Sequence, residues 1–114
     1  MKKILLFPLL LLSTIGWAQN KSPIVKFINP TSVSTPKGYS HAAIVDLGNC
    51  KMIIMSGQVA LDSTGNLVGK ADLKKQTEQV FLNINSIVRE AGGTVDDIVK
   101  ISIFMLEARY LSLA

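Results

Sequence analysis

The chain has 114 residues and a formal net charge of +4, and 48% of its residues are apolar. This length allows one domain, and the apolar fraction excludes a disordered or collagen-like chain. A single cysteine, Cys50, excludes a disulfide-stabilised scaffold.

The N-terminus has the three parts of a secretory signal peptide. Lysines at positions 2 and 3 precede an almost unbroken apolar run over residues 4–15, and Gly16-Trp17-Ala18 follows as a small-x-small sequence. A membrane-spanning helix needs about 20 apolar residues, and this run is much shorter. We therefore expect residues 1–18 to be a cleaved signal for export to the periplasm or the medium, with no membrane association afterwards. Residues 19–114 then form the domain.

The charge pattern argues against nucleic-acid binding. Removal of residues 1–18 leaves 10 lysines and arginines against 8 acids, a net charge of +2, and the lysines are scattered along the chain. Only Phe27 and Tyr39 supply aromatic rings between residues 19 and 79. The sequence therefore predicts neither a basic stripe nor a stacking platform for bases.

Three strands and one helix are predicted in the first part of the domain. Residues 24–28 read as a short strand, and residues 41–47 and 51–56 form a hairpin around a Gly-Asn turn. Apolar residues at spacings of three and four then predict an amphipathic helix of about 20 residues, from Asp72 to the Gly92-Gly93 pair. The members of its apolar stripe are Leu73, Thr77, Val80, Phe81, Ile84, Ile87, Val88 and Ala91.

A fourth strand is predicted over residues 98–105, where apolar and polar residues alternate. Strands, a helix and a further strand give an α+β domain whose sheet is covered on one face. Residues 106–114 are helix-forming but number only nine, so we expect the chain to stop inside an element.

Few residues stand out as chemical candidates. One histidine, one cysteine and scattered acids cannot supply the three or four ligands of a metal site, so no metal is expected. We interpret His41 as a strand residue with a satisfied ring, and Cys50 as a buried or half-buried inert thiol. Arg89 is expected in solvent on the polar side of the helix, and Lys100 is expected to be structural.

Ser56-Gly57-Gln58 is the most informative short stretch, because it closes an apolar strand. Glycine there lets a ligand approach the backbone, and the two flanking side chains can add hydrogen bonds. A plain strand-ending turn is the alternative, and Tyr39 before the hairpin reads equally well as a packing aromatic.

Four segments in order resemble the Rid (reactive intermediate deaminase, YjgF-type) family, from about residue 27 to residue 106. They are Pro36-Lys-Gly-Tyr-Ser-His-Ala, Met52-Ile-Ile-Met-Ser-Gly-Gln-Val, Gln76-Thr-Glu-Gln-Val-Phe-Leu-Asn-Ile and Ala91-Gly-Gly-Thr-Val-Asp-Asp-Ile-Val-Lys. Each segment alone is weakly specific for the family, whereas the four together in this order are strongly specific.

The resemblance implies a chorismate-mutase-like α+β fold, with a mixed sheet covered on one face by helices. It also implies homotrimers with ligand clefts between subunits. Deaminase-type members hydrolyse 2-imino acids to 2-keto acids and ammonia without a metal or another cofactor. By match to the family motif, Tyr39 lines the cleft, Ser56 and Gly57 lie beside the bound acid, and Gln58 supports them.

The chain departs from the family pattern at its C-terminus. The family's carboxylate-binding arginine and its catalytic glutamate follow a second helix, and both positions fall beyond Ala114. We assign neither role to Arg89, Arg109 or Glu107. The resemblance therefore implies an incomplete domain that lacks the final helix and strand, folds poorly or depends on association, and does not hydrolyse imines.

Two alternatives stay open. One is a Rid-like protein that binds a small ligand, or regulates a partner, without turnover. The other is an unrelated small α+β interaction domain.

Overall fold

The computed structural model describes residues 24–106. The predicted signal peptide and residues 107–114 lie outside this range. The elements are strands β1 (Val25–Ile28), β2 (Ala42–Asp46) and β3 (Lys51–Met55), helix α1 (Leu73–Glu90), and a 3-10 turn at Val95–Asp97.

The three strands form one antiparallel sheet in the order β1-β2-β3. β2 and β3 form the predicted hairpin, in which Ala42 is paired with Met55 and Asp46 with Lys51. Gly48 adopts a φ of 87° in the turn, and its N–H donates to Asp46 Oδ1 over 2.8 Å. The hairpin prediction is confirmed, and the turn chemistry at Gly48 explains it.

Helix α1 has defined caps at both ends. Asp72 is the N-cap and accepts a hydrogen bond from the Lys75 N–H. At the other end Gly92 has a φ of 89°, its N–H donates to the Arg89 carbonyl, and the Gly93 N–H donates to the Val88 carbonyl. This is a Schellman arrangement, so the predicted helix ends for the predicted reason.

The core lies between α1 and one face of the sheet. Ile87 is completely buried there, and shortening it to alanine would cost about 2–5 kcal/mol. The apolar stripe predicted for the helix is buried only in its C-terminal half, because Leu73, Thr77 and Phe81 are exposed. The core cluster consists of Ile28, Val33, Ala42 and Ile87, with Ile44, Ile53, Met55 and Ala91 packed against it.

The opposite face of the sheet is apolar but uncovered within residues 24–106. Side chains alternate along each strand, so residues next to the core-facing positions point outwards. Phe27 is 66% exposed on this face. The other large exposed side chains there are Val25, Met52 and Ile54.

The structure corrects two expectations. Residues 98–105 form no strand, because a strand needs a partner for its backbone hydrogen bonds and no described residue supplies one. The described antiparallel sheet with one helix on it agrees with the predicted α+β class. Cys50 is exposed and not buried, because it lies at the end of the hairpin turn, past the core.

Candidate functional site

The site predicted from sequence lies at the end of β3. Ser56 follows the last residue of the strand, and both its N–H and its hydroxyl lie within hydrogen-bond distance of the His41 carbonyl, at 2.9 and 3.2 Å. His41 directly precedes β2. The hairpin therefore brings the segment that contains Tyr39 next to Ser56-Gly57-Gln58, although 15 residues separate His41 from Ser56.

His41 lies at the centre of this group. The side chain is 2% exposed, its Nε2 atom is 2.7 Å from the Ser34 carbonyl oxygen, and its backbone N–H donates to Asn29 Oδ1 over 2.9 Å. Tyr39 packs against it edge to face, with ring centroids 5.5 Å apart. The expectation of a satisfied histidine ring is confirmed. Its position between the two predicted parts of the site was not foreseen, and the only signal was its place between Tyr39 and β2.

The Gln58 amide connects the histidine to the strand end. Its Nε2 atom is 3.3 Å from His41 Nδ1 and 3.2 Å from the Ser56 carbonyl oxygen. Gln58 is half-buried, whereas Tyr39 keeps half of its surface in solvent. The four predicted site residues thus form one cluster that is fixed from within and open on one side.

Gly57 lies on the open side of this cluster. It is exposed, its φ is outside the left-handed region, and a Cβ atom built on it would meet nothing within 4 Å. The surface above its backbone is therefore free for a ligand or for another subunit to approach.

Asn83 anchors the segment that follows the cluster, a role that was not predicted for it. This α1 residue is 4% exposed, and its Nδ2 atom donates to the carbonyls of Val59 and Leu61 over 3.1 and 2.9 Å. Gln79 donates to Asn83 Oδ1 over 2.9 Å. A polar residue directly beside Ile84 in the apolar stripe was the available signal, since buried polar groups need partners.

Within residues 24–106, no charged side chain forms a hydrogen bond or an ion pair with this cluster. The lowered carboxyl pKa values lie elsewhere. The pKa of Asp62 is lowered chiefly by the Thr64 hydroxyl, and that of Asp72 by the Lys75 N–H. No group of three His, Cys, Asp or Glu residues suited to a metal ion occurs in the described range.

The remaining candidates lie apart from the cluster. Arg89 is exposed, as expected, with its Nε atom donating to Asn85 Oδ1, and Lys100 is exposed. Arg109 and Glu107 lie outside the described residues. A cavity of about 330 Å³ lies at the opposite end of the sheet, beside the C-terminus of α1. No helix within residues 24–106 is both long enough and apolar enough to cross a bilayer.

Known proteins resemble this chain in sequence. A family model described as Endoribonuclease L-PSP matches residues 30–110. A RutC family protein of Pyrococcus abyssi is 40% identical over 68 residues, which are 59% of this chain and 50% of that protein. The 2-iminobutanoate/2-iminopropanoate deaminase of Escherichia coli is 45% identical over 62 residues, or 54% and 45% of the two chains. The chain thus spans about half the length of these curated relatives.

Two crystal structures share the fold. A protein of unknown function from Yersinia pestis, named YyfA and assigned to the conserved Rid family, superposes with a TM-score of 0.69 at 34% identity. The match covers 78% of this chain and 68% of that one. A putative endoribonuclease of Thermotoga maritima gives a TM-score of 0.63 at 32% identity, with 76% and 66% covered.

Proposed function

The chain belongs to the endoribonuclease L-PSP family, the family of the RutC and Rid proteins, and we propose that it binds a small 2-imino or 2-keto acid as a deaminase-type member. One observation carries the proposal. Tyr39, Ser56, Gly57 and Gln58 come together at one open edge of the fold. The deaminase of Escherichia coli, a similar protein, adds the substrate class.

The proposed reaction needs little from the protein. Water adds to C2 of the 2-imino acid and a C–O bond forms. The C–N bond then breaks, which releases ammonia and gives a 2-keto acid. Because a protonated imine is already electrophilic, the protein has to hold the acid, place one water and manage protons. The exposed Gly57 backbone and the Ser56 and Gln58 side chains suit the holding role.

Ribonucleolytic cleavage, which the family's name suggests, fits the cluster poorly. RNA cleavage by acid–base catalysis needs a titratable side chain at the reacting hydroxyl. His41 is the sole histidine of the chain, and both of its ring nitrogens face protein partners in a buried position. The scattered lysines add no phosphate-binding stripe.

Binding without turnover is the second candidate function. It is favoured by the uncharged character of the cluster, since no guanidinium or carboxylate within residues 24–106 bonds to it. Such a protein would hold a small carboxylate through neutral donors and would leave the imine unchanged.

Imine hydrolysis by the purified chain tests the two functions against each other. 2-Iminobutanoate is generated in solution from 2-aminobutanoate by an amino acid oxidase, and the release of ammonia is compared with the spontaneous rate. Acceleration that is lost in Gly57→Val, but kept in the exposed-loop control Ser63→Val, supports the deaminase and contradicts the expectation that this chain does not hydrolyse imines. Calorimetric binding of 2-ketobutanoate without acceleration supports the binding protein. If the chain shows no binding and no acceleration, both functions are refuted.

We also propose that the chain assembles as a homotrimer through the uncovered sheet face around Phe27. Stable monomers rarely leave a contiguous apolar patch of this kind in solvent. Light scattering after gel filtration should show a trimer that Phe27→Ser weakens. Leu82→Ser is the matched control, because Leu82 is similarly exposed, at 60%, but lies on the helix. A monomeric parent chain contradicts the proposal.

Export through residues 1–18 is likewise a proposal, supported by the sequence pattern alone. Expression of the full chain in a bacterial host, followed by mass spectrometry of the periplasmic and medium fractions, should give a chain that begins at Gln19. Recovery of only the uncleaved chain in the cytoplasm would contradict it.

A further inference from the structure

The His41 ring has partners that fix which nitrogen carries the proton. Its Nε2 atom is 2.7 Å from the Ser34 carbonyl oxygen. A carbonyl oxygen can only accept, so Nε2 is the donor in this pair. In a neutral imidazole the other nitrogen, Nδ1, is then an acceptor.

This assignment fixes the direction of the Gln58 amide. The amide nitrogen lies near three atoms, which are His41 Nδ1 at 3.3 Å, the Ser56 carbonyl oxygen at 3.2 Å and Ser56 Oγ at 3.5 Å. The first two are acceptors, so the NH₂ group of the amide has to face them. A flipped amide would place Oε1 against two lone pairs and would lose both hydrogen bonds.

The amide oxygen of Gln58 is consequently directed away from the histidine. Within residues 24–106, Oε1 has no hydrogen-bond partner. No fully buried side-chain nitrogen or oxygen in this range lacks a partner, so Oε1 is not fully buried. Gln58 is half-buried, so this oxygen has contact with solvent.

We propose that Gln58 Oε1 accepts a hydrogen bond from an N–H group of the ligand and that His41 is the positioning residue that holds it in this role. The proposal rests on the proposed function, because it concerns the same acid-binding cluster. A 2-imino acid, its enamine tautomer and ammonia all carry N–H groups. A 2-keto acid carries an oxygen at that position, which would face Oε1 unfavourably, so the site would favour the imine over its own product.

Two acids of nearly the same shape test the ligand part of this proposal. Oxamate carries an NH₂ group where pyruvate carries a methyl group, and both retain the carboxylate. By calorimetry the parent chain should bind oxamate about two- to tenfold more tightly, the ratio expected for one net hydrogen bond. Gln58→Leu should bring this ratio to about one.

Gln76→Leu is the matched control for that variant. It also deletes a half-buried amide that bonds to a backbone carbonyl, but its partner is Gly69 and not the cluster. Its oxamate preference should equal that of the parent. Equal binding of the two acids by the parent chain, or a preference that survives Gln58→Leu, overturns the inference and leaves the proposed function standing. Failure of both acids to bind refutes the proposed function and this inference with it.

The positioning role of His41 has its own readout. Long-range ¹H–¹⁵N spectra of the parent chain should show the proton on Nε2, and a proton on Nδ1 overturns the assignment. His41→Phe keeps the ring volume beside Tyr39 but cannot hold the amide, so the oxamate preference should fall, with no further loss in the double variant with Gln58→Leu. An unchanged preference in a folded His41→Phe chain overturns the positioning role. Should that variant not fold, the tautomer spectrum decides.

Discussion

Asn83 offers the sharpest test of how the site is supported, because one buried amide makes three hydrogen bonds there. It donates to the carbonyls of Val59 and Leu61 and accepts from Gln79. At about 0.5–1.5 kcal/mol each, three bonds give a range of about 1.5–4.5 kcal/mol for Asn83→Ala. The Val59 carbonyl keeps the Leu61 N–H and the Leu61 carbonyl keeps the Gln79 amide, so we expect a loss in the lower half of that range, about 1.5–3 kcal/mol.

Urea unfolding followed by circular dichroism measures this loss as a lower midpoint at constant slope. Asn85→Ala is the control on the same helix, since its side chain only accepts from the exposed Arg89 and should change the unfolding free energy by less than about 0.5 kcal/mol. Asn83→Asp keeps the shape but places carboxylate oxygens against two carbonyls, so at pH 7 it should destabilise more than alanine does. Equal stability of the Asn83→Ala and Asn85→Ala chains would show that the amide network does not anchor this segment.

Three further outcomes are expected. Gly57→Ala should leave the unfolding free energy unchanged or raise it by about 0.4–1 kcal/mol, because the φ of Gly57 and the space around it suit alanine. The same variant should bind 2-ketobutanoate more weakly in calorimetry. A destabilised variant would contradict this reasoning. The pKa values of Asp62 and Asp72 are lower in the folded chain than the ordinary 3.8, so their contribution to stability is present above 3.8 and is lost as the pH falls through the folded-state values. In the double variant Asp62→Asn/Asp72→Asn the unfolding free energy should therefore decline less steeply on acidification. An unchanged decline would show that these two carboxylates do not contribute to the pH dependence. Cys50 should react with a thiol reagent in the native chain as fast as in urea, and protection of the native thiol would contradict its exposure.

Local signals were sufficient for the elements that close on themselves. The Gly-Asn turn predicted the hairpin, and Asp72 with the glycine pair at 92–93 predicted both ends of α1. The Asp62–Asn66 turn depends on local contacts as well, with Asp62 Oδ1 accepting from the Thr64 hydroxyl and from two backbone N–H groups. In each case the decisive contacts join residues close together in the sequence.

Elements that depend on distant partners were predicted less well. Residues 98–105 have the alternation of a strand, but pairing is a property of two segments and the sequence of one cannot supply it. The N-terminal half of the helix stripe was also predicted wrongly, because Leu73 and Phe81 are apolar at the right spacing but remain exposed. For the same reason the link from His41 to Gln58, between a loop and a strand end, had no sequence signal beyond residue type.

Two glycines show how fold and function can be separated in this chain. Gly69 has a φ of 71°, and a Cβ atom there would lie 2.6 Å from Lys75 Cβ and 2.9 Å from the Gln76 nitrogen, so the start of α1 excludes any side chain. Gly57 meets no such constraint, since its backbone is ordinary and the space above it is open. Packing within residues 24–106 therefore accounts for the first glycine and leaves the second without an internal reason. The open space above Gly57 is therefore where we propose that the acid binds.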